Sequence, residues 1–386
     1  MKKIALKIAY IGTKFHGFQR QPNHRTVEGE LIYTLKKLGY IDNVHDSKFG
    51  IAGRTDKGVH SLGNVVSFMS EREIIINQIN HKLPDDIQII AKAPVRYGFK
   101  PRYAKCKHYR YMFFENDLDI SAMRELTSIF QGEHDFTNFS KRNESQKDMV
   151  RTINKIDVVS SEAPVVSSDG SALSSDGSVI SSEESVVSSK ESVVSSNGSF
   201  TEQSETYSQK IDNSEYFKYS QNFKYFKRYN GDLKEPSDFI ESNYIGELKS
   251  IGRFNENFEN INFDRAGYNP IFIDIYGESF LWNMVRKMMR IFLFVGKNEI
   301  EVDVVKDMLD PANKYNIKPL NPENLILMDV EYNNIRFTYD GYAFEGFKRT
   351  LIENLFDYKL KLSIENSILN SMKSLESNII NKNRSD

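Results

Sequence analysis

Ile4, Leu6, Ile8 and Tyr10 recur at every second position near the start of the chain. That is the period of a strand with one face in a core, so the chain is predicted to open on a strand. The period then changes. Val27, Leu31, Leu35 and Leu38 fall on one face of a helix, and Thr26 can cap it. Val65, Val66 and Phe68 predict another strand, and the aromatic-rich run 108–114 a third. Asp119 can cap a helix through Met123, Leu126, Ile129 and Phe130, which Gly132 would end. Further on, Ile271, Ile273 and Ile275 alternate as a strand. Residues 280–295 read as an almost wholly apolar helix, interrupted by Arg286, Lys287 and Arg290, and 325–330 as a final core strand. Strands and helices in this succession predict an α+β fold with largely antiparallel sheet.

The pattern fails in one long stretch. From 165 to 199 the chain repeats a seven-residue unit: VVSSDGS, ALSSDGS, VISSEES, VVSSKES, VVSSNGS. The paired apolar residues make no a/d stripe, and Ser and Gly disfavour helix. Five such units bury too little for a solenoid, so the composition is read as disordered. The stretch after it, to about 265, is rich in Tyr, Phe, Asn, Lys and Ser without a sustained period. The chain is therefore divided into a first half at 1–158, a low-complexity insertion at 159–265, the remainder of the second half at 266–356, and a polar tail at 357–386.

Charge sharpens that division. The net charge is −2, yet residues 1–155 hold 26 Lys and Arg against 17 Asp and Glu, whereas 156–210 hold 2 against 9. A basic first half suits a phosphate-binding surface, although scattered lysines also serve simply to solvate a fold. A single cysteine, Cys106, rules out an intramolecular disulfide framework and a Cys-cluster metal site. The first residues alternate charged and apolar, unlike a signal peptide, and no run approaches ~18 apolar residues. The expectation is a soluble, cytoplasmic protein without a membrane partner.

The densest chemical signal is AGRTDKGVHS, 52–61. Two glycines bracket Arg54, Thr55 and Asp56, so the backbone can turn sharply and expose the side chains between them. Asp56, two residues from a cation, reads as an ionised carboxylate, better suited to nucleophile than to general acid. By composition alone an Asx turn with a surface ion pair is the better account. The loop, however, resembles the signature of the TruA family of tRNA pseudouridine synthases. Other blocks resemble that family in its order: YIGTKFHGFQRQP (10–22), TVEGEL (26–31), LPDDI (83–87), FKPR (99–102), KHYRY (107–111), GEHDF (132–136), SFLWNMVR (279–286) and PENLIL (322–327).

The resemblance implies a fold of two ferredoxin-like (RRM-like) α/β halves, joining their sheets around a basic active-site cleft. It implies an isomerase that converts uridine to pseudouridine in the anticodon stem-loop of tRNA by base flipping, with neither cofactor nor metal, since no redox change or hydrolysis is involved. Asp56 matches the family nucleophile and Arg286 the arginine that pairs with it. Tyr109 matches the tyrosine that stacks on the target uracil and assists removal of the C5 proton. Arg54 matches the residue that fills the gap left by the flipped nucleotide. Phe99, Lys100, Arg102, Lys105, Lys107 and Arg151 lie in blocks that contact tRNA. His60 is expected to be structural, Lys287 and Arg290 to snorkel, and the departures at Lys57 and Ser61 to have little consequence. The resemblance leaves monomer and homodimer both open. The rival readings are a catalytically silent tRNA-binding module or chaperone, and a nucleoside glycosidase, which would want a second carboxylate.

Overall fold

The computed structural model describes residues 1–115, 117–141, 148–160 and 270–385. The expectations for the repeats and for the rest of the insertion thus lie outside the described residues.

The first half runs β1 (Lys2–Tyr10), α1 (Val27–Lys37), β2 (Gly50–Ile51), β3 (His60–Ser70), α2 (Ile76–Asn80) and β4 (Ile87–Pro94). Its strands lie in the order β4-β1-β3-β2 with antiparallel neighbours. The expected alternation in β1 is real: Leu6, Ile8 and Tyr10 enter a core with Val27, Leu31 and Leu35 of α1. Thr26 caps α1, its hydroxyl accepting from the Gly29 amide at 3.3 Å.

The second half runs β5 (Cys106–Phe113), α3 (Ile120–Phe130), β6 (Gly132–Asp135), β7 (Val150–Ser160), β8 (Ile271–Gly277), α4 (Met284–Gly296), α5 (Val304–Leu309) and β9 (Leu325–Glu331). Its order is β9-β5-β8-β7-β6, again antiparallel. Asp119 caps α3 through the Ala122 amide at 2.9 Å. Met123, Leu126 and Phe130 then meet Ile273 and Ile275 of β8 and Phe292 of α4 in a second core. Gly132 opens β6 at φ +101° rather than closing α3.

The halves meet along a short parallel pairing, His60 opposite Ile326 and Ser61 opposite Leu327, so that the ten described strands form one largely antiparallel sheet. Ser61, expected to matter little, is buried in this seam. Its hydroxyl donates to the Leu327 carbonyl at 3.0 Å and accepts from the Gly63 and Asn64 amides. His60 spans the same joint: its Nδ1 accepts from the Gly12 amide at 3.1 Å, which leaves Nε2–H to donate to the Glu323 carbonyl at 3.1 Å.

Two boundaries differ from the sequence pattern. The helix expected from 280 begins at Met284, because Asn283 is left-handed at φ +63° and breaks the helical path. The strand at 325–331 is not the last. β10 (Thr338–Tyr339) follows it and pairs with β4 on the far edge of the first half. The chain then runs into a 45-residue helix, α6 (Gly341–Ser385), which takes in the residues read as a polar tail. Ala343 and Phe347 anchor its start, while Leu360, Leu362, Ile364 and Ile368 are exposed. No described helix is long and apolar enough to cross a membrane.

Candidate active site

The loop between β2 and β3 is held in shape by buried polar groups. Tyr10 and Thr55 share a hydroxyl–hydroxyl bond of 2.8 Å, and the Asn64 amide donates to the Tyr10 oxygen and to the Gly53 carbonyl. From the other side the Phe18 amide donates to the Thr55 carbonyl at 3.0 Å. That approach needs Gly17, whose φ is +86° and whose added Cβ would stand 2.9 Å from the Thr55 oxygen. The loop is therefore rigid up to Asp56, which it presents to a cavity of about 1370 Å3.

Both oxygens of Asp56 are engaged. Oδ2 accepts from Nη1 of Arg286 at 2.9 Å, and Oδ1 from the indole N–H of Trp282 at 3.0 Å. Arg286 sits in the first turn of α4 and is fixed from behind, its Nε donating to the Leu320 carbonyl at 2.7 Å and its Nη1 also to the Asn283 side chain at 3.1 Å. An arginine in so apolar a helix needs a partner for its charge, and the two side chains are only 13% and 24% exposed. The expected pairing is present, between residues 230 positions apart.

Tyr109 lies on the same cavity wall. The β5–β9 register shifts between His108 and Tyr109, a kind of irregularity that re-aims side chains. His108 and Arg110 bind Asp274 at 2.7 and 2.8 Å, holding that carboxyl down at about 2 against the burial that would raise it. Tyr109 is buried, with its ring edge-on to Phe280 at 5.1 Å. Burial first, then Tyr10 and the charge of Asp56, push its phenol well above the ordinary value. At neutral pH it is an uncharged ring.

The remaining expected residues divide. Arg54, Lys100 and Arg102 are exposed and line the cavity, Arg102 with its guanidinium over the Tyr103 ring. Phe99 lines it too, but as a buried ring edge-on to Tyr332. Lys107 is on the wall and nearly dry at 7% exposure; burial, then Arg151, push its ammonium down to about 8. Arg151 itself is outside the lining, at the start of β7, with its Nε buried and unpartnered among the described residues. Lys105 belongs elsewhere, lining a second hollow with Lys7, Asp329 and Glu331. Lys287, expected to snorkel, instead donates to the Asn138 and Ser140 carbonyls, and Arg290 reaches the Lys318 carbonyl at 3.3 Å.

Trp282, Asn283, Lys3 and Lys48 also line the cavity, with no role assigned to them from sequence. The first two carried a signal, a Trp-Asn pair breaking an apolar run. Lys3 and Lys48 carried none, because they join the site through the packing of β1 and of the loop before β2. Burial lowers the Lys3 pKa, and the charges of Lys48 and Lys100 lower it further, as expected where positive charges gather.

Residues 199–333 match a family described as tRNA pseudouridine synthase; the match begins inside the stretch read from sequence as an insertion. Proteins named tRNA pseudouridine synthase A are similar along nearly the whole chain. That of Methanobrevibacter smithii is 42% identical over 97% of this chain and 99% of its own length. That of Methanothermobacter thermautotrophicus is 34% identical over 97% and 98%, and that of Thermococcus sibiricus 32% over 94% and 97%. With its signature loop, its paired aspartate and arginine and this similarity over its length, the chain belongs to the tRNA pseudouridine synthase family, isomerases that modify tRNA.

Proposed function

We infer that the protein isomerises uridine to pseudouridine in the anticodon stem-loop of tRNA, with Asp56 acting on a nucleotide flipped out of the stack. The observation that carries this reading is the Asp56–Arg286 pair on the wall of a wide cavity, with Tyr109 beside it and cations around it. The cavity, at about 1370 Å3, exceeds the roughly 300–1,000 Å3 of small-ligand pockets, which favours a polymeric substrate. The choice of the stem-loop is carried by the resemblance of the sequence blocks.

In this reading the N1–C1′ bond breaks at the sugar held by Asp56, the uracil turns, C5 joins C1′, the C5 proton leaves and N1 gains one. Arg286 keeps the carboxylate aimed. Tyr109, neutral and walled by Phe280, offers its ring to the uracil. Arg54, exposed at the rim, is free to occupy the place of the flipped nucleotide, and Lys100 and Arg102 meet phosphates. Lys107, on the cavity wall, suits a phosphate reaching inward, while Arg151, outside the lining, acts on it through its charge. The strand orders β4-β1-β3-β2 and β9-β5-β8-β7 repeat one arrangement and support two ferredoxin-like halves around the cleft.

The test is to map pseudouridine in tRNA after incubation with the purified protein and with Asp56→Asn. The parent is expected to modify the anticodon stem-loop. The variant should form no product while keeping tRNA affinity within a few-fold, because affinity comes mainly from phosphates. Product at the parent rate from Asp56→Asn would remove Asp56 from the mechanism. Product elsewhere in tRNA would overturn the choice of site, and tRNA binding without product by the parent would favour the silent module.

A further inference from the structure

Trp282 is the one tryptophan of the chain, and its place is unusual for so large an apolar side chain. It lines the cavity with 48% of its surface exposed, yet its N–H is committed to Oδ1 of Asp56. Its backbone is pinned: the carbonyl accepts from the Lys141 amide at 3.1 Å and from the Ser140 hydroxyl at 3.4 Å. The left-handed Asn283 follows it and sets the ring outside the helix. The side chain, by contrast, has solvent on much of its surface. The Lys141 ammonium stands 4.4 Å from the ring centroid, so an exposed cation lies against an exposed ring that lines the cavity. That pairing is what single-stranded RNA surfaces use, the ring for a base and the cation for a phosphate.

The two oxygens of Asp56 are thus held unequally. Oδ2 is held by Arg286, itself fixed on the Leu320 carbonyl and the Asn283 side chain. Oδ1 is held by a ring half in water. Of the two, Oδ1 is the oxygen that can be freed without dismantling α4. Resting on the reading of the reaction given above, we propose that Trp282 is a positioning residue with two states. In the free enzyme its N–H holds Oδ1. When RNA enters, the ring turns to stack on a base of the RNA and leaves Oδ1 open to the substrate. Stacking on RNA and release of the carboxylate are then one event, so Asp56 is fully available only when RNA is in place.

The lone tryptophan makes this measurable. Its emission is followed while an unmodified tRNA transcript is titrated into the full-length protein, alongside tRNA binding on filters and pseudouridine formation. Emission is expected to be quenched, saturating with binding. Trp282→Phe keeps an aromatic ring and loses the N–H, so RNA no longer has to break the bond to Oδ1 and KM should fall by about two- to threefold, with kcat not lowered. Trp282→Ala loses the stack, so KM should rise by roughly tenfold with kcat little changed. Unchanged emission at saturating tRNA would overturn the inference, as would a tenfold or greater fall in kcat for Trp282→Phe, which would mean that the N–H works during the reaction itself. A parent that quenches on binding but forms no pseudouridine would overturn the reading of the reaction instead, leaving the stacking intact and the release without a purpose.

Discussion

Lys107 lies almost out of water on the cavity wall, and its ammonium is pushed down to about 8 by burial and then by Arg151. An unfolded chain keeps that proton up to the ordinary value of 10.5, whereas the fold releases it near 8. Unfolding therefore takes up a proton between those values, and stability rises with pH across that window. Below pH 8 the charged form is present in both states and the fold bears the full cost of keeping it dry. Lys107→Met, similar in length, is expected to raise stability at neutral pH by about 1–3 kcal/mol and to weaken tRNA binding. Urea unfolding on both sides of pH 8 checks it: the gain should shrink as pH rises through the window. A gain independent of pH would mean that Lys107 finds a partner for its charge in solution.

The element that makes one sheet of two halves is the pairing of β3 with β9, recorded at only two residue pairs. So short a pairing depends on its side chains. Ser61 supplies a hydroxyl that both donates and accepts there, at 2% exposure. Removing it leaves buried backbone groups unmatched, and Ser61→Ala is expected to cost about 1–3 kcal/mol. Ser67, on the same strand, has a buried hydroxyl with no partner among the described residues, so Ser67→Ala should be neutral or stabilising. Urea midpoints of the two variants make the comparison, and equal losses would refute the role given to Ser61. Since β3 follows directly on the Asp56 loop and β9 runs beside Tyr109, Ser61→Ala should also lower turnover more than its stability cost alone explains.

Across the whole molecule, cations collect at one opening. Lys3, Lys48, Arg54, Lys57, Lys100 and Arg102 all line the cavity, although the chain as a whole is at −2. Replacing Lys48, Lys100 and Arg102 together by alanine should flatten the salt dependence of tRNA binding by about 0.7–0.9 log units for each phosphate no longer neutralised. Lys105 belongs to another hollow, beside Asp329 and Glu331, so Lys105→Ala should leave the slope where it was. Binding measured over a range of salt decides. A slope unchanged in the triple variant, or flattened equally by Lys105→Ala, would put the RNA on a different surface.

Much of this architecture is legible in the residues themselves, because it depends on neighbours in the chain. Alternation in β1, β8 and β9, the face of α1 and the caps at Thr26 and Asp119 are local matters of period and hydrogen-bonding type. So is the exposed turn of the Asp56 loop. The hydrogen bonds that complete the site are of another kind. Arg286 and Trp282 reach Asp56 across more than two hundred residues, through a sheet whose strand order no period encodes. The start of α4 turns on one left-handed asparagine, a conformation only moderately favoured by residue type. Lys107 and Lys105 are two positions apart in the chain, one dry on the cavity wall and one exposed at another hollow. Residue type makes each a cation; burial and neighbouring charge, which only packing supplies, set which of them faces the site and how firmly it holds its proton.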